Sequence, residues 1–138
     1  MAMLVEASAE DIVSLLQTMS DIPDHHELRV AENGLVMLRA RIGGDGAPFN
    51  LGEATVTRAA IRLAGGTVGF GYVLGRDKEK ARLIALCDAL IQTPAHAEVV
   101  EAHIVAPIRA RVAAARAAAA RETAATKVEF FTLVRGEG

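Results

Sequence analysis

A glycine, two bases and an acid stand together at Gly75-Arg76-Asp77-Lys78, where the sequence passes from a strand-like run into a helix-like one. Unbonded N–H groups at a helix start, joined by basic side chains, are able to hold a phosphate. Asp77 is also a good N-cap whose carboxylate would take those same donors and repel an anion. Capping is the simpler reading, and it leaves Arg76 and Lys78 free for other work. Arg58 and Arg62, four residues apart in an alternating segment, share one face of a strand and, with Arg39 and Arg41, could build a basic sheet surface. A solvated or ion-paired face is the plainer expectation there.

Other residues of catalytic type fall short of a working set. Gly69-Phe70-Gly71 with Gly75 comes near a dinucleotide-binding fingerprint, but its spacing is one residue too long and its glycines interrupt a hydrophobic alternation, so structural roles are expected. No glycine is followed by Lys-Ser or Lys-Thr at the spacing of a phosphate-binding loop. Asp24-His25-His26-Glu27 offers ligand-type side chains without the separated pairs that closed metal sites use. His96 and His103 lie seven apart, which would align them only if one helix spanned both; Pro94 and Pro107 favour a short helix with solvated histidines. Ser8, Ser14 and Ser20 belong to the first helix or its flanks, and Cys87 lies on an apolar arc, so no nucleophile, base and orienting group assemble.

The elements that must position these residues belong to one domain, 1–138, a size at which folding buries roughly two-thirds of the unfolded surface. The hydrophobic fraction of 51% is carried largely by alanine, aromatics are 4% and Trp is absent, so the core is modest. A net charge of −2 supplies no basic field for nucleic acid. The charge is unevenly laid out: Met1 to Gly34 holds seven acids against Arg29 alone, and Arg58 to Arg82 holds six bases against Asp77 and Glu79. The single cysteine excludes an intrachain disulfide and a thiolate metal cluster, which suits a reducing cytoplasm. Met1 to Val5 lacks the basic start of a signal peptide, and no apolar run approaches the ~18 residues of a membrane span.

Ser8 is a candidate N-cap for a helix over Ala9 to Ser20, ended before Pro23. Asn33-Gly34 then predicts a hairpin between strands at Glu27 to Glu32 and Leu35 to Ile42. Gly43 to Pro48 reads as a loop long enough to be mobile. Ala54 to Leu63 and Thr67 to Leu74 follow as strands joined at Gly65-Gly66, the second placing Val68, Phe70, Tyr72 and Leu74 on one face and thinning the other at Gly69 and Gly71. That thin face invites close packing. From Asp77 the period becomes helical, with Leu83, Ile84, Leu86, Cys87, Leu90 and Ile91 on one arc. A short helix at Ala97 to Ala102, a long alanine-arginine helix starting at Pro107 with only Ile108 and Val112 as anchors, and a last strand at Lys127 to Arg135 complete the chain. The expected fold class is α+β, an antiparallel sheet of about four to five strands with helices on one face in two layers.

Three stretches are more specific than any short motif: Ala31-Glu-Asn-Gly-Leu-Val to Arg41-Ile-Gly-Gly; Asn50 through Ala54-Thr-Val-Thr-Arg-Ala-Ala to Gly71-Tyr-Val-Leu-Gly-Arg-Asp-Lys; and Val128-Glu-Phe-Phe-Thr-Leu-Val-Arg-Gly. In order, from about Val30 to Gly136, they resemble the PhnG family, the G subunit of the bacterial carbon-phosphorus lyase core complex. This sequence departs from the family pattern in lacking the arginine- and tryptophan-containing first helix.

The resemblance implies a subunit of the machinery of phosphonate catabolism. With H, I and L partners, the family is associated with attaching methylphosphonate to the ribose C1 of ATP, releasing adenine; a radical S-adenosylmethionine, iron-sulfur J subunit later cleaves the carbon-phosphorus bond. The implied partners are the H, I, J and K subunits of the core complex, I most directly, with a functional link to L. ATP and methylphosphonate are the implied substrates of the complex, and this chain itself is expected to bind no cofactor. Self-association of the isolated chain is an allied expectation. Docking surfaces are expected at the thin strand face of Gly69 and Gly71, the helix after Pro107 and the Gly43 to Pro48 loop. Within the matched stretches Arg58, Arg76, Asp77, Lys78 and Arg135 are the polar candidates for contact with a partner or an anionic substrate, none with a catalytic role.

Overall fold

The computed structural model describes residues 2–126, so the expected strand at Lys127 to Arg135, with the candidate Arg135, lies outside the described residues. The fold is α+β. A short 3-10 turn at Ala2–Glu6 leads into α1 (Ala9–Leu16), then β1 (His25–Arg41), β2 (Pro48–Leu63), β3 (Val68–Leu74), α2 (Lys78–Ile91), α3 (Ala97–Val100), a π turn (Glu101–Val105) and α4 (Ala106–Ala125). Among the described residues the sheet has three strands, antiparallel, in the order β1-β2-β3.

Among the described residues there is one strand fewer than expected at this point, because Asn33-Gly34 does not turn. A two-residue hairpin turn of that type needs positive φ at both positions, and neither residue has it. They pair instead with Thr57 and Val56, so the two expected strands are one 17-residue strand, β1. The reversal occurs at Ile42–Ala47, where Gly43 and Gly44 take φ of 62° and 97°. The Gly46 N–H donates to the Ile42 carbonyl there at 2.8 Å, so this segment makes a hydrogen-bonded turn. Beyond the end of β3, β1 and β2 continue as a two-stranded arm bearing exposed Leu35, Met37, Phe49 and Leu51.

The core lies between one sheet face and the helices. Ala59, Ile61 and Leu63 of β2, with Val73 of β3, meet Leu83, Ile84, Leu86 and Leu90 of α2, and Leu4, Ile12, Val100, Ile104 and Ile108 close the far side. The thin face of β3 is where α2 comes closest. A Cβ at Gly69 would strike the Ala85 carbonyl and the Ala89 backbone, and one at Gly71 would strike the Ala81 carbonyl. Ala81, Ala85 and Ala89 recur every fourth residue and form a small-residue stripe matching the two glycines. The expected close packing is therefore supplied by the chain's own helix, and the thin face is no docking surface. Asp88 of α2 and Gln92, the residue that caps its C-terminus, also reach round the open edge of β3: Asp88 accepts from the Phe70 N–H at 2.9 Å, and Gln92 donates to the Val68 carbonyl at 3.0 Å.

The segment around Pro107 also departs from expectation. Instead of stopping and restarting, the helical path from Ala97 runs on through the proline. Pro107 has no N–H for the His103 carbonyl, and the backbone widens just before it, the Ala106 N–H bonding to the Glu101 carbonyl five residues back. Past this point α4 buries Ile108 and half-buries Val112, and most of its remaining length is exposed. Arg111 pairs with Asp11 at 2.6 Å and Arg116 with Glu6 at 3.0 Å, tying α4 to the start of the chain.

Ser8 caps α1 through a capping box with Asp11, so the Asp11 carboxylate serves both the box and Arg111. The Arg111 guanidinium, then Ser8, hold its carboxyl below the ordinary 3.8. A depressed folded-state pKa stabilises the fold above the unfolded value and ceases to do so as pH falls through the folded one. Acidification below about 3.8 should thus loosen α4 from the chain start, followed as NMR shift changes at Arg111, and Asp11→Asn should abolish that acid-induced step. Gly71→Ala should cost about 3 kcal/mol in urea unfolding by forcing α2 off the sheet, whereas Gly65→Ala, whose Cβ meets nothing, should stay within about 0.5 kcal/mol.

Candidate functional site

Arg58 points away from the helices, out over Gly34 on the open face of the sheet. Its Nε meets Glu32 Oε1 at 3.0 Å, and Arg29 Nη1 reaches the same oxygen at 3.2 Å. The ion-paired reading of this arginine therefore holds. Arg62, four residues on along the same face, pairs across to His26. Arg39 and Arg41 do not join them: seven residues of strand separate Arg39 from Glu32, about 23 Å at ordinary strand rise. Arg41 instead donates to the Gly46 carbonyl at 3.2 Å, in the turn at the arm's end. The expected four-arginine surface is thus divided between the root and the tip of one hairpin.

The acid-poor stretch Arg58 to Arg82 and the acid-rich start do meet, as the charge layout suggested. Glu32 takes Arg58, and Glu27 takes Arg82 of α2 at 3.1 Å. Glu27 is therefore an ion-pair partner and not a metal ligand, and His25 Nδ1 sits 3.0 Å from the Pro23 carbonyl. Among the described residues no three His, Cys, Asp or Glu side chains converge.

At the second candidate, Gly75 takes φ of 94°, and Asp77 caps α2 by accepting from the Lys80 N–H at 2.9 Å. The donors that could have held a phosphate are partly taken by the protein's own carboxylate. Arg76 and Lys78 are exposed, and Arg76 lines a shallow depression with Asn33, Leu35 and Thr55. The turn itself is held by Thr57, a fully buried hydroxyl whose proton is shared between the Gly75 carbonyl at 2.7 Å and Asn33 Oδ1 at 2.9 Å. Arg58 and Arg76 line different hollows, and no hydrogen bond or ion pair joins them among the described residues.

The remaining nucleophile candidates are accounted for structurally. Cys87 is fully buried, and desolvation pushes its thiol up to about 12, so no thiolate is present at neutral pH. Ser8 caps a helix, Ser14 bonds the Glu10 carbonyl at 2.8 Å, and His96 Nδ1 lies 2.9 Å from the Thr93 hydroxyl.

The family model of the phosphonate metabolism protein PhnG matches residues 1–136. The chain belongs to this family. The alpha-D-ribose 1-methylphosphonate 5-triphosphate synthase subunit PhnG of Rhizobium meliloti (strain 1021) is 49% identical over 137 residues, covering 99% of this chain and 87% of that protein. The stretches that carried the PhnG resemblance fall on β1, β2, β3 and the start of α2, with the third beyond the described residues. Among the described residues, the features sequence reasoning missed are those that need register. Glu32 reaches Arg58 only because the two are cross-strand partners. Exposed Phe70 and Tyr72 could have been foreseen from the Ala81-Ala85-Ala89 stripe, which assigns the glycine face inward and sends the bulky face out.

Thr57→Val keeps the side chain's shape and removes its hydroxyl, leaving the Gly75 carbonyl short of a donor. The expected loss is about 1–2 kcal/mol by chemical denaturation, with slower-migrating compact species absent from native gels.

Proposed function

We propose that this chain is the G subunit of an α-D-ribose 1-methylphosphonate 5-triphosphate synthase acting in phosphonate catabolism in the cytoplasm. Its role is to assemble and support the catalytic partners. The reading rests chiefly on 49% identity, across nearly the whole chain, to a relative named as that subunit. In this reaction the bond from ribose C1 to adenine breaks, a methylphosphonate oxygen takes its place at C1, and adenine leaves. The chain works with the H, I and L subunits in that step and stands with H, I, J and K in the core complex, I being its most direct partner. ATP and methylphosphonate are substrates of the complex, and this chain carries no cofactor of its own.

A supporting role suits what the candidate residues do. Arg58 is engaged by Glu32, Asp77 by its own helix, Cys87 is buried, and Ser8 and Ser14 serve the first helix. A second reading, in which this chain lends bases to nucleotide or phosphonate binding, is favoured at one point: Arg76 is exposed beside an open depression, without an ion-pair partner among the described residues.

Coexpression with the H and I subunits of the same organism, followed by size exclusion with mass determination and an adenine-release assay on ATP plus methylphosphonate, tests the first reading. A comigrating complex whose adenine release disappears when this chain is omitted is the expected result; separate elution with undiminished release would overturn it. Arg76→Gln separates the two readings. Unchanged assembly with unchanged substrate requirement is expected for a supporting subunit, and a KM for ATP or methylphosphonate raised about tenfold would favour direct binding.

A further inference from the structure

Among the described residues one face of the sheet is covered by helices and the other is bare, yet the bare face is not polar. An antiparallel sheet with one wet face ordinarily alternates apolar-in with polar-out. Here the outward positions include Phe70 at 64% exposure, Tyr72 at 52% and Leu74 at 77%. On the middle strand the small Ala60 stands between Arg58 and Arg62, opposite Phe70 of β3. Leu28 and Arg29 of β1, Arg58 and Ala60 of β2, and Phe70 and Tyr72 of β3 line a groove of about 500 Å³. Exposed aromatic and arginine side chains grouped together are the composition of a protein interface.

The charges on this face narrow the occupant. Arg29, Arg58 and Arg62 stand on it with Glu32 as their acid, so the face is locally basic on a chain whose net charge is −2. Two of the arginines share the one carboxylate, which leaves the face with uncompensated positive charge. We propose that this groove seats an apolar segment of a partner subunit carrying acidic side chains at its flanks. The proposal rests on the assembly role argued above and adds to it the surface used and the chemistry of what lies there. Apolar groups of the segment lie against Leu28 and the two aromatics, and its carboxylates meet Arg58 and Arg62. The groove is open; Leu28, Ala60, Phe70 and Tyr72 in its lining suit apolar side chains, and Arg29 and Arg58 beside them suit carboxylates, so an apolar peptide with acidic flanks matches both parts of the lining.

The test uses the full chain coexpressed with the H, I and J subunits, in wild-type form, as Phe70→Asp, as Arg62→Glu, and with p-benzoylphenylalanine replacing Tyr72 for photocrosslinking. All three positions are exposed, and circular dichroism with thermal melting checks that each variant is folded. Both substitutions should weaken assembly about tenfold or more at an unchanged melting temperature. The crosslink should fall in a peptide of a partner subunit with apolar residues flanked by Asp or Glu. Wild-type assembly by folded Phe70→Asp and Arg62→Glu would overturn the proposal while leaving the assembly role standing. A crosslink to a second copy of this chain, or to a partner peptide without acidic flanks, would overturn it as well. So would ATP binding by the isolated chain that Phe70→Asp abolishes. Failure of the wild-type chain to assemble at all would instead remove the assembly role, and the proposal with it.

Discussion

The close approach of α2 to β3 decides the rest of the architecture. Gly69 and Gly71 let the backbones of helix and strand come nearer than any side chain would allow, and Ala81, Ala85 and Ala89 keep the helix's half of the contact equally thin. The pleat then leaves β3 a single inward side chain of any size, Val73, and sends its bulk outward as Phe70, Tyr72 and Leu74. The apolar outer face is thus a geometric consequence of how the inner face packs. The same approach places Asp88 and Gln92 where they can satisfy the strand's open edge. It also requires a sharp exit from β3, which Gly75 makes by its positive φ, Thr57 holds from beneath and Asp77 converts into a helix start.

Stability and recognition fall on different parts of the molecule. Buried apolar area is concentrated between α2, β2, β3 and the inner side of α1 and the π turn. The open sheet face, the β1–β2 arm and the outer length of α4 add little to it. The ion pairs that hold α4 to the chain start are exposed, and such pairs are individually weak, so Ile108 and Val112 do most of the anchoring. This division agrees with a protein whose catalytic-type residues are nearly all spent on structure and whose large surfaces remain open.

Much of this was legible from local chemistry. The Ser8 and Asp77 caps, the turn at Gly66, the burial of Cys87, the poor anchoring of the alanine-rich helix and the thin face of β3 each depend on a few adjacent residues. Asn33-Gly34 misled because a turn-prone dipeptide was overridden by pairing: Asn33 sits against the buried Thr57 hydroxyl and Gly34 lies beneath Arg58, so both are used as strand. Pro107 misled because a π turn absorbs the missing donor. The Glu32 pairing with Arg29 and Arg58 was not legible at all, since it depends on cross-strand register with a shift on either side of Arg29. Family membership was legible for the opposite reason. Long runs of identical residue types need no three-dimensional knowledge to be read.

Among the described residues the first strand has one long side with no neighbour in the sheet. Its backbone groups there form a template onto which a stray chain could add, the usual route from exposed edge to aggregate. The register of β1 against β2 shifts between Glu27 and Arg29, between Arg29 and Glu32, and between Leu38 and Arg39. Each shift interrupts the regular ladder, and arginines stand at or beside every interruption. The longest uninterrupted piece, Glu32 to Leu38, is seven residues, and charged side chains bound it at Glu32 and Arg39. These irregularities therefore act as a safeguard during the interval between synthesis and assembly. They let a chain with exposed apolar surface avoid becoming a seed for fibrils of itself.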